Sequence, residues 1–195
     1  FPGAGYLEMA RATAPTATGL SGVFFLQPLA LETTELLIEC AITSNGRFEV
    51  RSGTSNGAVT EVTVYCAGVL TASSEGKQRV EHASLRARLY AHAAHVGALY
   101  DGFDAISLQY SPCYRTLTQA WAGAYSASAR LRTRTAHEGT QVHPADLDDA
   151  LCVGALIVSG TGVGETRLPF AVDDAQLRGT QADLWAVRLC SREHA

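Results

Sequence analysis

The sequence contains few charged residues, and basic residues in particular are scarce. Charged side chains make up 17% of the 195 residues, Lys and Arg together number 15, and the formal net charge is −4. With 47% hydrophobic residues, this composition excludes a disordered chain, which combines low hydrophobicity with high net charge. It also argues against nucleic-acid binding, because contacts to phosphates need clustered Lys and Arg.

Long hydrophobic runs and paired cysteines are missing as well. No apolar run approaches the roughly 20 residues that cross a bilayer, so the sequence predicts no membrane segment. The five cysteines are scattered without a Cys-x-x-Cys pair, which fits neither a disulfide framework nor a zinc site. We therefore expect reduced thiols in a cytoplasmic protein. The chain begins at Phe1-Pro2-Gly3 rather than at Met, which favours a piece of a longer polypeptide.

Hydrophobic periodicity predicts two similar halves. The first half, residues 1–72, begins with a short helix that stops before Pro15. Strands are then predicted over 23–31, 35–42, 47–52 and 59–71. The dipeptide Asn45-Gly46 between two such runs is a strong hairpin signal. A polar stretch over 73–100 is predicted as a linker, because Lys, Arg and Glu are interspersed there among Ala and Leu.

The second half, residues 101–195, repeats this order in outline. Its strands are predicted over 106–117, 120–132, 168–172 and 184–189. Between them, residues 146–158 carry Leu147, Leu151 and Gly154 at helical spacing. Because a largely apolar helix must be buried, each half is expected to wrap its sheet around one helix. The pattern predicts an α+β fold.

The segment from His143 to Cys152 carries the residues of greatest chemical interest. Pro144 suits a helix start, and three aspartates near that start suit the positive end of the helix dipole. For Asp146 and Asp149 this interpretation is preferred. Asp148 lies beside apolar neighbours (Leu147, Leu151 and Ala155), where desolvation would raise its pKa and let it act as a general acid. On spacing alone, the dipole interpretation stays open for Asp148 too.

Five segments, in register, resemble dehydratase domains of type I polyketide synthases. They are Phe1–Ala10 (Phe-Pro-Gly-Ala-Gly-Tyr-Leu-Glu-Met-Ala), Val23–Leu31, Tyr110–Arg115 (Tyr-Ser-Pro-Cys-Tyr-Arg), His143–Cys152 (His-Pro-x-x-x-Asp-x-x-x-Cys) and Leu168-Pro169-Phe170. The resemblance implies a double hotdog, in which two antiparallel sheets are each wrapped around a central helix.

The resemblance also implies a hydro-lyase activity. Such a domain removes water from a β-hydroxyacyl thioester held on an acyl carrier protein and leaves an α,β-enoyl thioester. The motif carries the acid onto Asp148, and Cys152 stands where the family has Gln or His to orient that aspartate. Further substrate-binding residues implied by the match are Tyr110, Pro112, Pro169, Pro2 and Gly3.

The family's general base is a histidine that is expected about nine residues before Pro2, so the chain as given lacks it. No metal or dissociable cofactor is implied, since phosphopantetheine on the acyl carrier protein delivers the substrate. Neighbouring synthase domains are expected partners, and related domains form homodimers.

Two alternatives remain open. A dehydratase-like domain without chemistry could persist as a scaffold or docking surface. An isomerase or cyclase could act on the same acyl chain with the same fold. A hotdog thioesterase is disfavoured, because thioester hydrolysis does not explain the first-helix and His-Pro-x-x-x-Asp motifs together.

Overall fold

The computed structural model describes residues 1–14, 17, 19–30, 36–54, 62–72, 92–135, 138–157, 170–177 and 184–189. Residues 73–91 of the linker predicted over 73–100, and the dipeptide Leu168-Pro169, lie outside these ranges. In chain order, the described elements are α1 (Gly3–Thr13), β1 (Gly19–Phe25), β2 (Leu36–Ile42), β3 (Arg47–Thr54), β4 (Thr63–Thr71), β5 (Ala93–Ala94), α2 (Val96–Ala105), β6 (Leu117–Ala122), β7 (Ser126–Leu131), α3 (Pro144–Cys152), β8 (Ala171–Gln176) and β9 (Trp185–Leu189).

The chain divides into two units, each assembled from three separate stretches. The first unit comprises 1–76, 138–144 and 168–180, and the second comprises 77–137, 145–167 and 181–195. The first contains a five-stranded antiparallel sheet in the order β2-β3-β4-β1-β8, and the second a four-stranded antiparallel sheet in the order β5-β6-β7-β9.

Helix α1 is the central helix of the first unit. It begins after Pro2, which is extended (φ −73°, ψ 140°), and it ends before Pro15 as predicted. Its buried apolar side chains pack against strands β1 to β4; they are Ala4, Tyr6, Leu7 and Ala10. Seven of its eleven residues are buried, and this burial holds so short a helix in place, since propensity alone does not stabilise eleven residues.

The predicted hairpin at Asn45-Gly46 is confirmed. Gly46 has φ +80°, a conformation that costs glycine little, and Ile42 pairs with Phe48 across the turn. The strand predicted over 23–31 is partly wrong, because β1 ends at Phe25. Pro28 has no N–H for a ladder hydrogen bond, which is consistent with the strand stopping before it.

The last strand of the first sheet was assigned to the wrong half. A strand was predicted over 168–172 in the second half, whereas β8 pairs antiparallel with β1, with Gly19 opposite Gln176 and Phe24 opposite Ala171. This pairing joins residues about 150 positions apart in the chain, and no local sequence signal specifies it.

The second unit departs from prediction between the linker and β6. Helix α2 was not predicted; it is capped by His95, whose Nδ1 accepts a hydrogen bond of 3.0 Å from the N–H of Ala98. The strand predicted over 106–117 is wrong, because Ser107 has φ +66° and Pro112–Tyr114 form a 3₁₀ turn. The strand predicted over 120–132 is instead part of the β6–β7 hairpin.

Helix α3 starts at Pro144 and continues as a 3₁₀ turn over Val153–Leu156. That turn packs against β6, β7 and β9. The buried residues of the helical segment are Ala145, Asp146, Asp149 and Val153. The predicted apolar face is therefore misplaced, because Leu151 is 41% exposed. Within the described ranges, no helix is long and apolar enough to span a membrane.

Candidate active site

Three of the residues singled out from the sequence come together in the second unit. Asp148 and Cys152 are one turn apart on α3, so their side chains share a face of the helix. Tyr110 precedes the 3₁₀ turn, and its hydroxyl oxygen lies 3.1 Å from the Cys152 sulfur. The Asp148 carboxylate lies near enough to the same hydroxyl for hydrogen bonding between them to lower its pKa. A carboxyl, a phenol and a thiol thus form one small cluster.

Burial is the main influence on the Asp148 carboxyl. Desolvation raises the pKa of Asp148, the hydrogen bond with Tyr110 partly counteracts this, and the neighbouring Asp149 raises the pKa further. Among the residues that the structure describes, Asp148 forms no ion pair. Its pKa consequently lies above its ordinary value of 3.8, a shift that favours the protonated form that a general acid needs.

The two partners of Asp148 are neutral groups. Burial raises the pKa of the Cys152 thiol to about 12, although the Tyr110 hydrogen bond partly lowers it. A thiol in this state is a poor nucleophile, because the thiolate is the reactive form. Burial, and next the hydrogen bond with Cys152, raise the pKa of Tyr110 as well. The cluster is therefore suited to holding and transferring protons, and unsuited to covalent catalysis by Cys152.

Aromatic rings surround Tyr110. Its ring centroid lies 5.4 Å from that of Phe103 and 6.0 Å from that of Tyr100. On the other side, Arg115 donates from Nε to the Tyr110 carbonyl oxygen over 2.8 Å. A depression of about 570 Å³ opens next to these residues and is lined by Asp104, Gln109, Tyr110, Ser111 and Arg115. The packing fixes the backbone and ring of Tyr110, so its hydroxyl has a defined direction.

Sequence comparison decides the family. Residues 63–195 match the family described as the polyketide synthase dehydratase N-terminal domain. The chain belongs to the polyketide synthase dehydratase family. The predicted double hotdog fold is confirmed, since each unit has an antiparallel sheet with its own central helix, as in the solved structures of this family.

Individual relatives show how far the similarity of this dehydratase-family domain extends. It is 24% identical to polyketide synthase PksN of Bacillus subtilis over 203 aligned positions, which cover 95% of the chain and 4% of that synthase. The dehydratase domain of the CurF module of curacin polyketide synthase matches with a TM-score of 0.81 at 20% identity, covering 100% of this chain and 74% of that one.

A third relative is the inactive Asp-to-Asn mutant of the CurK dehydratase. It matches with a TM-score of 0.76 at 19% identity and covers 96% of this chain and 71% of that one. At these identities the solved structures support the fold of the dehydratase-family domain. The curated relative is far longer than the chain, which spans only a small part of it.

Asp149 has a role in this domain that the sequence did not reveal. It was interpreted as a residue that suits the helix dipole, but its side chain is fully buried and accepts hydrogen bonds from Tyr100, Thr116 and Leu117. Those partners lie 32 to 49 positions away, so no local pattern could have indicated them. Asp146, by contrast, lies in the first turn of α3 and is paired with Arg134 over 2.6 Å.

The other predicted site residues occupy defined backbone positions. Pro2 and Gly3 begin α1 in the first unit, and a Cβ on Gly3 would lie 3.1 Å from the Phe25 ring. Pro112 is the first residue of the 3₁₀ turn that follows Tyr110. Pro169 lies outside the described residues. Substrate binding by these four residues stays a prediction.

Within the described part of the dehydratase-family domain, no three His, Cys, Asp or Glu side chains converge in a way that could hold a metal ion. The four described cysteines are free; they are Cys40, Cys66, Cys113 and Cys152.

Proposed function

We propose that this domain removes water from a β-hydroxyacyl thioester on an acyl carrier protein, with Asp148 as the general acid. The observation that carries the proposal is the environment of Asp148: a desolvated carboxyl with a raised pKa, in contact with a neutral tyrosine hydroxyl. Desolvation of this kind favours the protonated carboxyl, which can release its proton as the leaving oxygen gains charge.

The proposed elimination involves two proton transfers, one from the substrate to a base and one from Asp148 to the leaving hydroxyl. A base removes the α-proton, the C–O bond at the β-carbon breaks, and Asp148 donates its proton to the departing hydroxyl, which leaves as water. The product is an α,β-enoyl thioester. The base is the histidine predicted about nine residues before Pro2. Afterwards Asp148 takes up a proton from solvent, and the protonated base releases the α-proton to solvent.

Tyr110 is the proposed orienting partner of the acid. Cys152 stands where the family has Gln or His, and a thiol is a weak hydrogen-bond donor. The Tyr110 hydroxyl contacts both Asp148 and Cys152, so it can hold the carboxyl in one direction. The inactive Asp-to-Asn mutant of the CurK dehydratase supports the importance of an aspartate in this class of domain.

The proposed partners follow from the substrate. Phosphopantetheine on an acyl carrier protein would present the β-hydroxyacyl chain, and neighbouring synthase domains would supply it and take the product. The proposed proton transfers need no metal, so the rate of water loss is expected to be the same with and without EDTA.

The decisive experiment compares the wild-type protein with Asp148→Asn. A polypeptide that begins about 20 residues before Phe1, and so includes the predicted base, is mixed with β-hydroxyacyl thioesters on an acyl carrier protein. Loss of water is followed by mass spectrometry. Because general acid catalysis contributes about 10²- to 10⁴-fold, Asp148→Asn should lower the rate by at least about 100-fold.

A matched control is Asp101→Asn, since Asp101 is an exposed carboxylate on α2 of the same unit. It should react at the wild-type rate. Wild-type activity in folded Asp148→Asn would contradict the assignment of the acid. Absence of reaction across several acyl chains, in a wild-type protein that is folded, would instead favour a dehydratase-like domain without chemistry.

A further inference from the structure

The Asp149 carboxylate raises the pKa of Asp148 but takes no direct part in the proposed elimination, yet its own contacts are specific. It is 0% exposed. Its Oδ2 accepts hydrogen bonds from the Tyr100 hydroxyl (2.8 Å), the Thr116 hydroxyl (2.8 Å), the N–H of Leu117 (3.1 Å) and the N–H of Thr116. Four donors converging on one oxygen call for an acceptor at this point, and an apolar side chain would leave them buried without a partner.

These contacts tie α3 to two other elements of the second unit. Tyr100 belongs to α2, and Thr116 and Leu117 form the entry to β6. Successive residues on an α-helix point about 100° apart. When the Asp149 side chain is held against β6, the rotation of α3 about its axis is fixed, and with it the direction in which Asp148 leaves the helix.

A second link runs through the aromatic rings. The Tyr100 hydroxyl that donates to Asp149 belongs to a ring packed 6.0 Å from the ring of Tyr110. Tyr110 in turn contacts Asp148 and Cys152 through its own hydroxyl. The guanidinium of Arg115 lies over the Tyr100 ring, 5.2 Å from its centre. Asp149 therefore restrains both the helix that carries the acid and the tyrosine that meets it.

We propose that Asp149 is a positioning residue, which keeps the Asp148 carboxyl and the Tyr110 hydroxyl in register for proton donation. This inference rests on the proposed function. A misplacement of about 1 Å can lower a rate by about 100-fold, so a buried anchor on the residue next to the acid is expected to influence turnover more than substrate binding.

The test compares Asp149→Ala with Asp149→Asn in the acyl-carrier-protein assay. Asp149→Ala removes the acceptor, so kcat should fall about 10- to 100-fold while KM changes by less than about threefold. Asp149→Asn keeps an oxygen acceptor in place and should recover most of the rate. The matched control is Asp146→Asn, a buried carboxylate on the same helix that pairs with Arg134 instead; its folded fraction should keep the wild-type kcat.

A second measurement does not depend on activity. Cys152 lies one turn beyond Asp148 and contacts Tyr110. The rate at which N-ethylmaleimide alkylates Cys152, quantified by peptide mass spectrometry, therefore reports whether α3 keeps its packed position. Labelling should accelerate by about tenfold in Asp149→Ala and stay near the wild-type rate in Asp149→Asn and Asp146→Asn. This readout separates failure of the positioning role from failure of the proposed reaction.

Two outcomes would overturn the inference. The first is a folded Asp149→Ala protein with wild-type kcat and wild-type labelling of Cys152. If Asp149→Ala does not fold, Tyr100→Phe takes its place, because it removes one donor to Asp149 and keeps the ring. The inference expects Tyr100→Phe to lower kcat and to expose Cys152. The second outcome is unchanged kcat and labelling in Tyr100→Phe, which would show that the anchor does not act on the acid.

Discussion

The central helices of the two units bury charged side chains in different ways. In α1, Glu8 and Arg11 are both buried, and they neutralise each other within the helix through hydrogen bonds of 2.6 and 2.8 Å. In α3, neutralisation comes from elsewhere in the unit: Asp146 pairs with Arg134, and Asp149 accepts four hydrogen bonds. Among the described residues Asp148 pairs with no cation, and hydrogen bonding with Tyr110 only partly offsets its desolvation.

This difference separates a structural carboxylate from a chemical one. A buried carboxylate that pairs with a cation or accepts several hydrogen bonds is tied to one arrangement of the chain. A partly buried carboxylate without them tends to keep its proton. Three aspartates in a span of four residues on α3 therefore have three different roles, and the partners of each decide which role it has.

The largest expected effect is on the Glu8–Arg11 pair of α1, in which Glu8 also accepts a hydrogen bond of 2.8 Å from the N–H of Gln141. Replacing Arg11 by Met leaves Glu8 buried without a cation, and breaking a buried pair in this way costs about 3–5 kcal/mol. Urea unfolding of wild type and Arg11→Met should show that loss in the free energy of unfolding. The double variant Glu8→Gln/Arg11→Met should recover much of it. A loss below about 1 kcal/mol, the size expected of an exposed pair, would contradict the comparison.

A smaller loss is expected from Arg134→Met. Asp146 would lose its partner, but the Arg134 side chain is 15% exposed, so water can reach part of the site. We expect a decrease of about 2–3 kcal/mol in the free energy of unfolding. Adding Asp146→Asn should restore part of this stability. An unchanged unfolding midpoint would show that the pair between α3 and the segment after β7 is not stabilising.

The smallest effect, opposite in sign, is expected from Asp148→Asn. Burial raises the pKa of Asp148 above 3.8, so the folded protein binds this proton more tightly than the unfolded chain does. The free energy of unfolding consequently falls as pH rises from 3.8 through the folded pKa. Because Asn does not ionise, Asp148→Asn should be more stable than wild type at pH 7.

The advantage of Asp148→Asn should shrink as the pH is lowered and be smallest below 3.8, where both states carry the proton. Thermal melting of the two proteins over this pH range measures it. A gain in stability that does not vary with pH would show that Asp148 is not the desolvated acid of the comparison.

Local signals account for what could be predicted from the sequence. The turn at Asn45-Gly46 specifies its own hairpin, and Pro144 marks the start of α3, because the conformations that these residues favour depend on few neighbours. The resemblance of His143–Cys152 to a family motif led to Asp148. Cys152 belongs to the same motif, and Tyr110 follows from the separate resemblance of Tyr110–Arg115 to the family.

Non-local contacts account for the errors. Helix α2 contains Gly97 and Gly102, which lower its helix propensity, and it follows a polar stretch. Its first residues are therefore included in the predicted linker. The partners of Asp149 are distant in the chain and come from two elements, so its buried position could not be inferred from α3 alone. The apolar stripe of α3 was misplaced for the same reason: which face is buried depends on what packs against it.

The pairing of β1 with β8 has a consequence for synthesis of the chain. A ribosome completes β1 about 150 residues before it completes the strand that covers its edge. During that interval, β2, β3 and β4 can assemble on one side of β1, while its other edge offers unpaired N–H and C=O groups. The nascent first unit thus exposes an unpaired strand edge until Ala171–Gln176 emerge. A truncation before that point would leave a sheet prone to pairing with other chains.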